Sequence, residues 1–462
     1  MMKLYNTLSR TIEEFVPLND KKVNMYTCGP TVYREIHIGN LRTYITSDIL
    51  VRTLKAQGYD VTSVMNITDV GHFRFSSDIN KVIDPVMQEA KETGKSPLEI
   101  SRKYTDIFLK DAKKVGIIPA DFYPRATDHI GDMIELIEVL LEKGFAYIAE
   151  GNVYFDVKKF KDYGKLSGNT LDKMESLMEA VRVSVETDKN DSADFALWKK
   201  AEPDRVMKWD SPWGQGVPGW HIECSAMAQK TLQMLTLDIH TGGEDLIFPH
   251  HEDEIAQSEA ASGQPFVKHW THTNFLLVDS EKMSRSKRYV YTVEDLEKKK
   301  FSPLAFRYLT FMTHYRSKMN FTWEGLEAAQ SALDKLYETA ASLPNPQGGV
   351  LKFEAKFEDA LNNDLNMPQA VSVLWEMVRS KNPKGQIAAS LYKMDEVLGL
   401  SIKDKALELV NIPQGVLEMV SERVKLRRDR KYNAADLIRA KIERMGYVLE
   451  DTKDSSRILR KI

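Results

Sequence analysis

The sequence predicts an α/β protein that begins with a parallel-sheet domain carrying an insertion and continues into an α-helical region with a small terminal module. A strand, helix, strand order over residues 23–68 supports the parallel sheet, since this is the unit from which such sheets are built. Helical spacing of apolar residues beyond Phe301, with a Pro/Gly-rich break at 344–349, supports the helical region. The chain has 462 residues, too many for a single hydrophobic core, so several domains are expected.

The first strand, helix, strand unit follows from local patterns. Residues 23–27 are partly apolar and prone to form a strand. Apolar residues recur at helical spacing over 41–54, and Gly58 follows where helices end, which predicts a helix over 40–57. Residues 61–68 are rich in β-branched side chains and form the second strand. We therefore expect an α/β nucleotide-binding domain.

Further segments extend this domain. Helical spacing over 127–143 is followed by two strands around Glu150-Gly151, and we interpret 125–194 as an inserted subdomain. Residues 220–259 form a second α/β portion that is expected to complete the sheet. In the helical region four apolar residues share one face of a predicted helix, namely Leu326, Ala329, Leu333 and Leu336.

Composition and charge restrict the possible functions. Hydrophobic residues make up 42% and charged residues 28% of the chain, which is ordinary for a soluble globular protein. Residues 1–10 are polar and no run of eighteen apolar residues occurs, so secretion and membrane spanning are not expected. The cysteines, Cys28 and Cys224, are too few for a disulfide scaffold, which favours the reducing cytoplasm. With a net charge of −3, any nucleic-acid partner must be bound by local patches.

Two short motifs are candidates for nucleotide binding. His37-x-Gly39 precedes the predicted helix, where free backbone N–H groups and the helix dipole favour phosphate, although a single histidine there also serves as a cap or surface residue. Gly39 has no side chain and would let a nucleotide approach the backbone. Lys282-Met283-Ser284-Arg285-Ser286 places two cations and two hydroxyls in one loop that can neutralise a polyphosphate, or can be a solvated basic loop.

A third group of residues suits a metal ion. His250 and Glu254 are four residues apart in a predicted helical stretch, so both side chains point from the same face. Thiolates from Cys28 and Cys224 would complete a set of two sulfurs, one imidazole and one carboxylate, which suits zinc. Spacing alone does not justify this set, because a lone cysteine is usually buried and unreactive and these two are distant in sequence.

In this order, the segments resemble the cysteinyl-tRNA synthetase family, bacterial type, over nearly the whole chain. The residues that carry the resemblance are Met25 to Tyr33, His37-Ile38-Gly39, Asn66-Ile67-Thr68-Asp69, Pro218 to Met227, Phe248 to Glu254 and Lys282 to Ser286. The second and the last of these resemble the His-Ile-Gly-His and Lys-Met-Ser-Lys-Ser motifs of class I synthetases. The segments around Cys224 and His250 resemble the two zinc segments of the family.

The resemblance implies a class I Rossmann-like catalytic domain with an insertion, an α-helical bundle and a small anticodon-binding module. The expected division is a catalytic domain at 1–124 and 195–260, the inserted connective subdomain at 125–194, a stem-contact region with the Lys-Met-Ser-Arg-Ser loop at 261–315, the bundle at 316–402 and the anticodon-binding module at 403–462.

The resemblance also implies a function and its residues. The protein would use ATP, with Mg²⁺, to convert L-cysteine to cysteinyl-adenylate and would transfer cysteine to the 3′ end of tRNA(Cys). One zinc ion per chain would be held by Cys28, Cys224, His250 and Glu254, and would select the substrate thiolate over the serine hydroxyl without editing. The amino-acid pocket would be lined by Thr31, Thr68 and Trp220. ATP would be bound by His37, Gly39, Asn40, Lys282, Ser284 and Arg285, of which His37, Asn40, Lys282 and Arg285 would be catalytic. The flanking residues His221, His240 and His251 have either supporting or structural roles.

Three departures from the family pattern concern the ATP site. Asn40 stands where the last histidine of the class motif usually lies, and Arg285 replaces a lysine. Lys287-Arg288-Tyr289 replaces the apolar-Gly-Asn that often follows. Because Arg keeps the charge but changes the geometry, ATP affinity is expected to change more than the activity itself.

A basic segment near the carboxyl terminus is the candidate for RNA contact. Residues 421–445 contain nine Lys or Arg against four Asp or Glu, which favours phosphate binding or a solvated helix face. Tyr432 lies within it and could stack on an unpaired base. The resemblance implies anticodon recognition by Arg427, Tyr432, Asp436 and Asp451.

Two alternative functions remain open at this point. A ligase of the same lineage joins cysteine to an amino sugar in small-thiol biosynthesis, but it lacks the anticodon module. A zinc-stabilised RNA-binding protein without catalysis would show no cysteine-dependent exchange of pyrophosphate into ATP. The expected partners are tRNA(Cys), L-cysteine and ATP, with no membrane, for a cytoplasmic monomer.

Overall fold

The structure is a computed structural model of the single chain. It describes residues 2–70, 74–75, 82–170, 173, 188–203, 205–279, 281–282, 290–451 and 456–460. In this part of the chain, no helix combines the length and the apolar character that crossing a membrane requires.

Strands and helices alternate in the amino-terminal half, and helices dominate the carboxyl-terminal half. The strands are β1 Lys3–Asn6, β2 Thr11–Glu14, β3 Lys22–Thr27, β4 Asp60–Met65, β5 Arg74–Phe75, β6 Val82–Ile83, β7 Ala146–Ala149, β8 Asn152–Phe155, β9 Phe195–Lys200, β10 Gly216–Pro218, β11 Leu237–Gly243, β12 Val267–Thr273, β13 Leu276–Val278, β14 Glu281–Lys282, β15 Met319–Phe321, β16 Tyr447–Asp451 and β17 Ser456–Arg460. The helices are α1 Ile38–Ala56, α2 Pro85–Thr93, α3 Pro97–Lys114, α4 Ile130–Glu142, α5 Trp220–Leu232, α6 Glu252–Ser262, α7 Val293–Lys298, α8 Pro303–Thr310, α9 Trp323–Ala341, α10 Leu351–Asn362, α11 Met367–Val378, α12 Lys384–Leu398, α13 Ile402–Val410, α14 Gln414–Arg428 and α15 Tyr432–Arg444.

The central sheet has the strand order β12-β11-β3-β4, and each neighbouring pair runs parallel. Parallel neighbours need crossover connections, which α1 supplies between β3 and β4 and α6 supplies between β11 and β12. Every residue of β11 is buried, as expected for a parallel strand covered on both faces. The predicted parallel sheet is therefore confirmed. Residues 220–259 supply only β11 to it, and the edge strand β12 lies beyond residue 260, so the sheet extends into the segment predicted as the stem-contact region.

Helix α1 has the termini that its sequence favours. His37 is the N-cap, and its ring Nδ1 accepts a hydrogen bond from the Asn40 N–H at 3.3 Å. Just beyond the end of the helix, Gly58 has a φ of 83°, a left-handed conformation that favours glycine. The predicted apolar face is buried, with Leu41, Tyr44, Ile45, Ile49 and Leu54 at most 4% exposed.

The insertion contains an antiparallel sheet in the order β10-β9-β8-β7. Its hairpin turns at Glu150 and Gly151, whose positive φ values of 49° and 87° are typical of a two-residue hairpin turn. Strands β9 and β10 continue this sheet, so it crosses the predicted boundary at residue 194 and ends at Pro218. Because α5 begins at Trp220, the insertion sheet leads directly into the helix that carries Cys224.

A small sheet, β14-β13-β15, joins the catalytic domain to the helical region. Strand β13 pairs antiparallel with β14 and parallel with β15. Strand β14 ends at Lys282, the first residue of the Lys-Met-Ser-Arg-Ser motif, and the rest of that motif lies outside the described residues. The helices that follow share one apolar core with α1, and the predicted face of α9 is buried in it at Leu326, Ala329, Leu333 and Leu336.

The carboxyl-terminal module has its own small core. Helices α14 and α15 and the hairpin β16-β17 enclose an apolar cluster of Val416, Val420, Ile442, Tyr447 and Leu449. Helix α13 instead buries Ile402, Ala406 and Leu409 in the main core. The predicted boundary at residue 403 thus falls inside α13, whereas the separate cluster starts at α14.

Candidate active site

The candidate site lies at the carboxyl ends of β3 and β11. The strand order reverses between these two strands, because β4 lies beside β3 and β12 lies beside β11. Cys28 directly follows β3, and helix α5 carries Cys224. His250 lies in the turn Ile247–His251, and Glu254 lies in the first turn of α6. In open parallel sheets, ligands bind outside the carboxyl ends of the strands at such a reversal.

Four buried side chains meet there with spacings that suit a tetrahedral metal ion. Their ligand atoms, from Cys28, Cys224, His250 and Glu254, all lie within 4.8 Å of one another. Cys28 Sγ is 3.8 Å from Cys224 Sγ and 3.6 Å from Glu254 Oε1. With Zn–S bonds of about 2.3 Å and Zn–O bonds of about 2.1 Å, a tetrahedron separates two sulfurs by about 3.8 Å and sulfur from oxygen by about 3.6 Å. The sequence-predicted quartet is therefore assembled, and its donors fit zinc.

Without a metal ion, the quartet shares protons among its four side chains. Burial opposes a charge on either group, yet Glu254 and Cys224 raise the pKa of His250 to about 10, and His240 and His250 lower the pKa of Glu254 to about 2. Burial also opposes ionisation of Cys224, but a hydrogen bond from Cys28 and the charge of His250 lower its pKa to about 6. Burial and the adjacent Cys224 raise the pKa of Cys28. A cation would replace the shared protons, because metal ligands bind in deprotonated form.

A chain of polar contacts runs from the His250 ring to Tyr163 of the insertion. His250 Nδ1 is 2.9 Å from His221 Nδ1, and His221 Nε2 is 3.3 Å from Asp253 Oδ2. Tyr163, from the insertion, donates its hydroxyl to Asp253 Oδ1. With Nε2 of His250 turned to Glu254 at 3.0 Å, the Nδ1–H is the group that faces His221, and Nε2 of His221 lies against Asp253. Such outer contacts fix the tautomer and the orientation of a ligating histidine.

A second set of histidines contacts Glu254 and Cys28 of the quartet. His240 Nε2 is 3.0 Å from Glu254 Oε2, and His251 Nε2 is 3.3 Å from Cys28 Sγ. His251 Nδ1 in turn contacts His272 Nε2 at 2.7 Å. Cys28, His240, His251 and Glu254 form another group whose ligand atoms lie within 4.8 Å. This group has one sulfur fewer than the predicted quartet and no residue that stacks on Trp220.

A cavity of about 480 Å³ opens next to the quartet. Five residues predicted from the sequence line it, namely Cys28, Thr31, His37, Asn40 and Trp220. The Trp220 ring stacks on the His250 ring with centroids 4.2 Å apart. Cys28 and Trp220 therefore connect the cavity to the quartet, while the start of α1 borders the same cavity. Asp245 also lines the cavity but was not identified from the sequence. It follows the end of β11, and only the folded sheet brings that end to the cavity.

Other predicted site residues are placed differently. Thr68 is 2% exposed, and its N–H donates to the Pro30 carbonyl while its own carbonyl accepts from Val32. Among the described residues, Thr68 is thus paired with the Thr31 segment and does not itself line the cavity. Gly39 lies in the first turn of α1 between His37 and Asn40. The side chains of Lys282, Ser284 and Arg285 lie outside the part that the structure describes.

The residues predicted to contact tRNA lie in the carboxyl-terminal module, on two helices and one strand that are remote in sequence from the quartet. Tyr432 is the first residue of α15 and is 56% exposed, and Asp436 is exposed on the next turn. Arg427 is exposed near the end of α14, whereas Arg423, one of the nine basic residues of this segment, is fully buried. Asp451 is the last residue of β16.

Comparison with known proteins identifies the class first. Residues 14–331 match the family described as "tRNA synthetases class I (C) catalytic domain", and residues 356–403 match the DALR domain family. The fold is similar to that of methionyl-tRNA synthetase from Mycobacterium tuberculosis in complex with methionyl-adenylate, with a TM-score of 0.57, 14% identity, and coverage of 85% of this chain and 94% of that chain. The fold and the site thus define a class I tRNA synthetase.

The sequence relatives are more specific. Cysteine–tRNA ligase 1 of Burkholderia lata is 42% identical over 460 residues, which cover 99% of this chain and 96% of that protein. The cysteine–tRNA ligase of Thermococcus onnurineus is 40% identical, with coverage of 98% of this chain and 97% of that protein. The chain therefore belongs to the cysteine–tRNA ligase family, and the resemblance seen in the sequence is confirmed.

Proposed function

We propose that this protein activates L-cysteine with ATP and transfers it to tRNA(Cys), and that a zinc ion in the Cys28, Cys224, His250 and Glu254 quartet selects the substrate. The observation that supports this most strongly is the position of Cys28, which belongs to the quartet and also lines the 480 Å³ cavity. A zinc ion bound there would lower the pKa of a thiol that reached it, whereas a serine hydroxyl is harder and far less acidic.

The protein side chains around the cavity would orient the amino acid. Trp220, stacked on His250, forms an apolar wall beside the quartet. Thr31, from the loop that Thr68 pairs with, offers a hydroxyl at the same cavity. A pocket that excludes water strengthens such contacts and holds the carboxylate in position for reaction.

The start of α1 would bind ATP. Its backbone N–H groups and the positive end of its dipole favour phosphate, and His37 and Asn40 line the cavity there. Lys282, Ser284 and Arg285 would neutralise the phosphates, with Mg²⁺. In the first step a cysteine carboxylate oxygen attacks the α-phosphorus and pyrophosphate leaves. In the second step a ribose hydroxyl of the terminal adenosine attacks the carbonyl carbon and AMP leaves.

The carboxyl-terminal module would bind the tRNA. The exposed ring of Tyr432 is available to stack on an unpaired base, and Arg427 lies in the adjoining basic segment. Asp436 and Asp451 would accept hydrogen bonds from base edges. An amino-sugar ligase would have no use for this module, and the full-length similarity to cysteine–tRNA ligases disfavours that alternative.

The proposal is tested by cysteine-dependent exchange of labelled pyrophosphate into ATP, repeated with serine. We expect exchange with cysteine and none with serine, because only the thiol can reach the metal as an anion. Addition of tRNA(Cys) or of an amino sugar then shows which acceptor takes the cysteinyl group. Absence of cysteine-dependent exchange by the zinc-loaded protein would rule out the proposed activity.

A further inference from the structure

A buried arginine on α1 joins this helix to the small sheet β14-β13-β15. Arg42 is 2% exposed, and its guanidinium donates four hydrogen bonds to main-chain carbonyls. The acceptors are Asn274 at 2.8 Å and Phe275 at 2.9 Å from Nη1, and His314 at 3.1 Å and Ser317 at 2.7 Å from Nη2. One side chain therefore bonds two chain segments that are distant in sequence.

Both segments lead directly into strands of the small sheet. Phe275 precedes β13, and Ser317 is two residues before β15, which pairs with β13. Strand β14 pairs with the other edge of β13 and ends at Lys282. The Arg42 contacts thus fix the strand pair that leads into the Lys-Met-Ser-Arg-Ser motif.

The same helix holds the chain beyond that motif. The Ile38 N–H, in the first turn of α1, donates to the Tyr291 carbonyl at 2.9 Å. Ile38 lies next to His37, which lines the cavity where α1 begins. The described residues on either side of the motif are therefore both bonded to the helix that carries His37 and Asn40.

Arginine is the side chain that this junction requires. Burial lowers the pKa of Arg42 to about 10, so the group stays cationic at neutral pH. A guanidinium offers five N–H donors in a planar fork, whereas a lysine ammonium offers three from a single nitrogen. A lysine at this position would leave at least one of the four carbonyls without its donor.

We propose that Arg42 is a positioning residue for the ATP step. It holds the strand pair β13-β14 at a fixed position relative to the start of α1, and it does not contact the substrates. Arg42 is not among the described residues that line the cavity. The inference rests on the proposed function, since it assigns the Lys282 segment and the His37 segment to the same nucleotide.

The test measures how Arg42→Lys changes the binding of ATP and of cysteine. Equilibrium dialysis gives the dissociation constant for ATP, and pyrophosphate exchange gives the KM values for ATP and for cysteine. Arg52→Lys is the matched control, because Arg52 lies on α1 and also donates to main-chain carbonyls, at Gly116 and Glu396, that lie outside the small sheet.

For Arg42→Lys we expect the dissociation constant and KM for ATP to rise about tenfold, with zinc content and KM for cysteine within about twofold of the wild type. For Arg52→Lys both KM values should stay within about twofold. An unchanged ATP constant in folded Arg42→Lys, or an equal rise in both KM values, overturns the inference.

Two safeguards keep the test decisive. If Arg42→Lys does not fold, Asn274→Ala replaces it, because the half-buried Asn274 amide donates to the Arg316 carbonyl at 3.0 Å and joins the same two segments. In Asn274→Ala the dissociation constant and KM for ATP should rise, and KM for cysteine should not. If the wild-type protein shows no exchange with cysteine, the proposed function fails, and dialysis with ATP still decides the role of Arg42.

Discussion

Asp253 gives the most informative single substitution, because it supports a proposed metal ligand without being one. Its carboxyl group accepts a hydrogen bond from the Tyr163 hydroxyl and lies 3.3 Å from His221 Nε2, and it is 1% exposed. In Asp253→Asn, the side chain keeps one accepting oxygen, and its second oxygen becomes an NH2 group that can only donate. Because His221 Nε2 and the Tyr163 hydroxyl both face this side chain as donors, one of the two contacts is lost. His221 then no longer fixes the His250 ring as firmly.

The magnitude follows from two general values. Removing a buried acceptor from a hydrogen bond costs about 1–3 kcal/mol. Loss of such a contact behind a metal-binding histidine typically weakens metal binding about 10–100-fold, which corresponds to about 1.4–2.7 kcal/mol. We therefore expect the zinc dissociation constant of Asp253→Asn to rise by a factor in this range.

The assay is competition for zinc with a chromophoric chelator, with thermal unfolding as a check on folding. Asp238→Asn is the matched control, because Asp238 is fully buried and accepts from the Leu18 and Asn24 N–H groups away from the quartet. It should lose stability with little change in zinc affinity. A zinc constant for folded Asp253→Asn within about twofold of the wild type would refute the reasoning.

Three further predictions concern the metal, the amino acid and the tRNA. Cys224→Ala should weaken zinc binding at least about a hundredfold. His240→Gln, which removes a contact to Glu254 and the ring stack on Trp270 but no member of the predicted quartet, should weaken it about tenfold. The same chelator competition measures both, and the opposite order would favour the second group of ligands. Trp220→Ala should raise KM for cysteine about tenfold through loss of the stack on His250, and leave KM for ATP nearly unchanged, as measured by pyrophosphate exchange. Tyr432→Ala should lower kcat/KM for tRNA about 5–150-fold in aminoacylation, while exchange without tRNA stays at the wild-type rate.

Local patterns in the sequence predicted much of the catalytic fold. The helix over 40–57 is α1, Ile38–Ala56, because its apolar spacing and Gly58 are both local signals. The hairpin at Glu150-Gly151 is likewise set by its turn residues. The continuation of the insertion sheet through β9 and β10 was not predicted, because pairing between distant strands leaves little trace in local spacing.

The quartet shows how much of a site can be predicted from the spacing of residues in the sequence. His250 and Glu254 could be paired from their separation of four residues, and their side chains meet at 3.0 Å. Cys28 and Cys224 are 196 positions apart in sequence and meet only because β3 and α5 converge at the reversal of the sheet. Their pairing was expected from family resemblance alone.

The supporting residues were the least predictable. Tyr163, Asp253 and His272 were not identified from the sequence, because each acts through another side chain and not at the metal or the cavity. Arg42 lies two residues after Asn40 in a recognised motif, yet its four acceptors lie more than 200 residues away. Such contacts follow from tertiary packing and have no local signature.

Replacing zinc with cobalt(II) offers the most direct view of substrate recognition. The intensity of the sulfur-to-cobalt charge-transfer absorption reports how many thiolates bind the metal. With Cys28 and Cys224 as ligands, saturating cysteine should raise this absorption by about half, since a third sulfur joins two, and serine should leave it unchanged. An absorption that does not respond to cysteine, under conditions where cysteine is shown to be bound, would contradict selection through the metal.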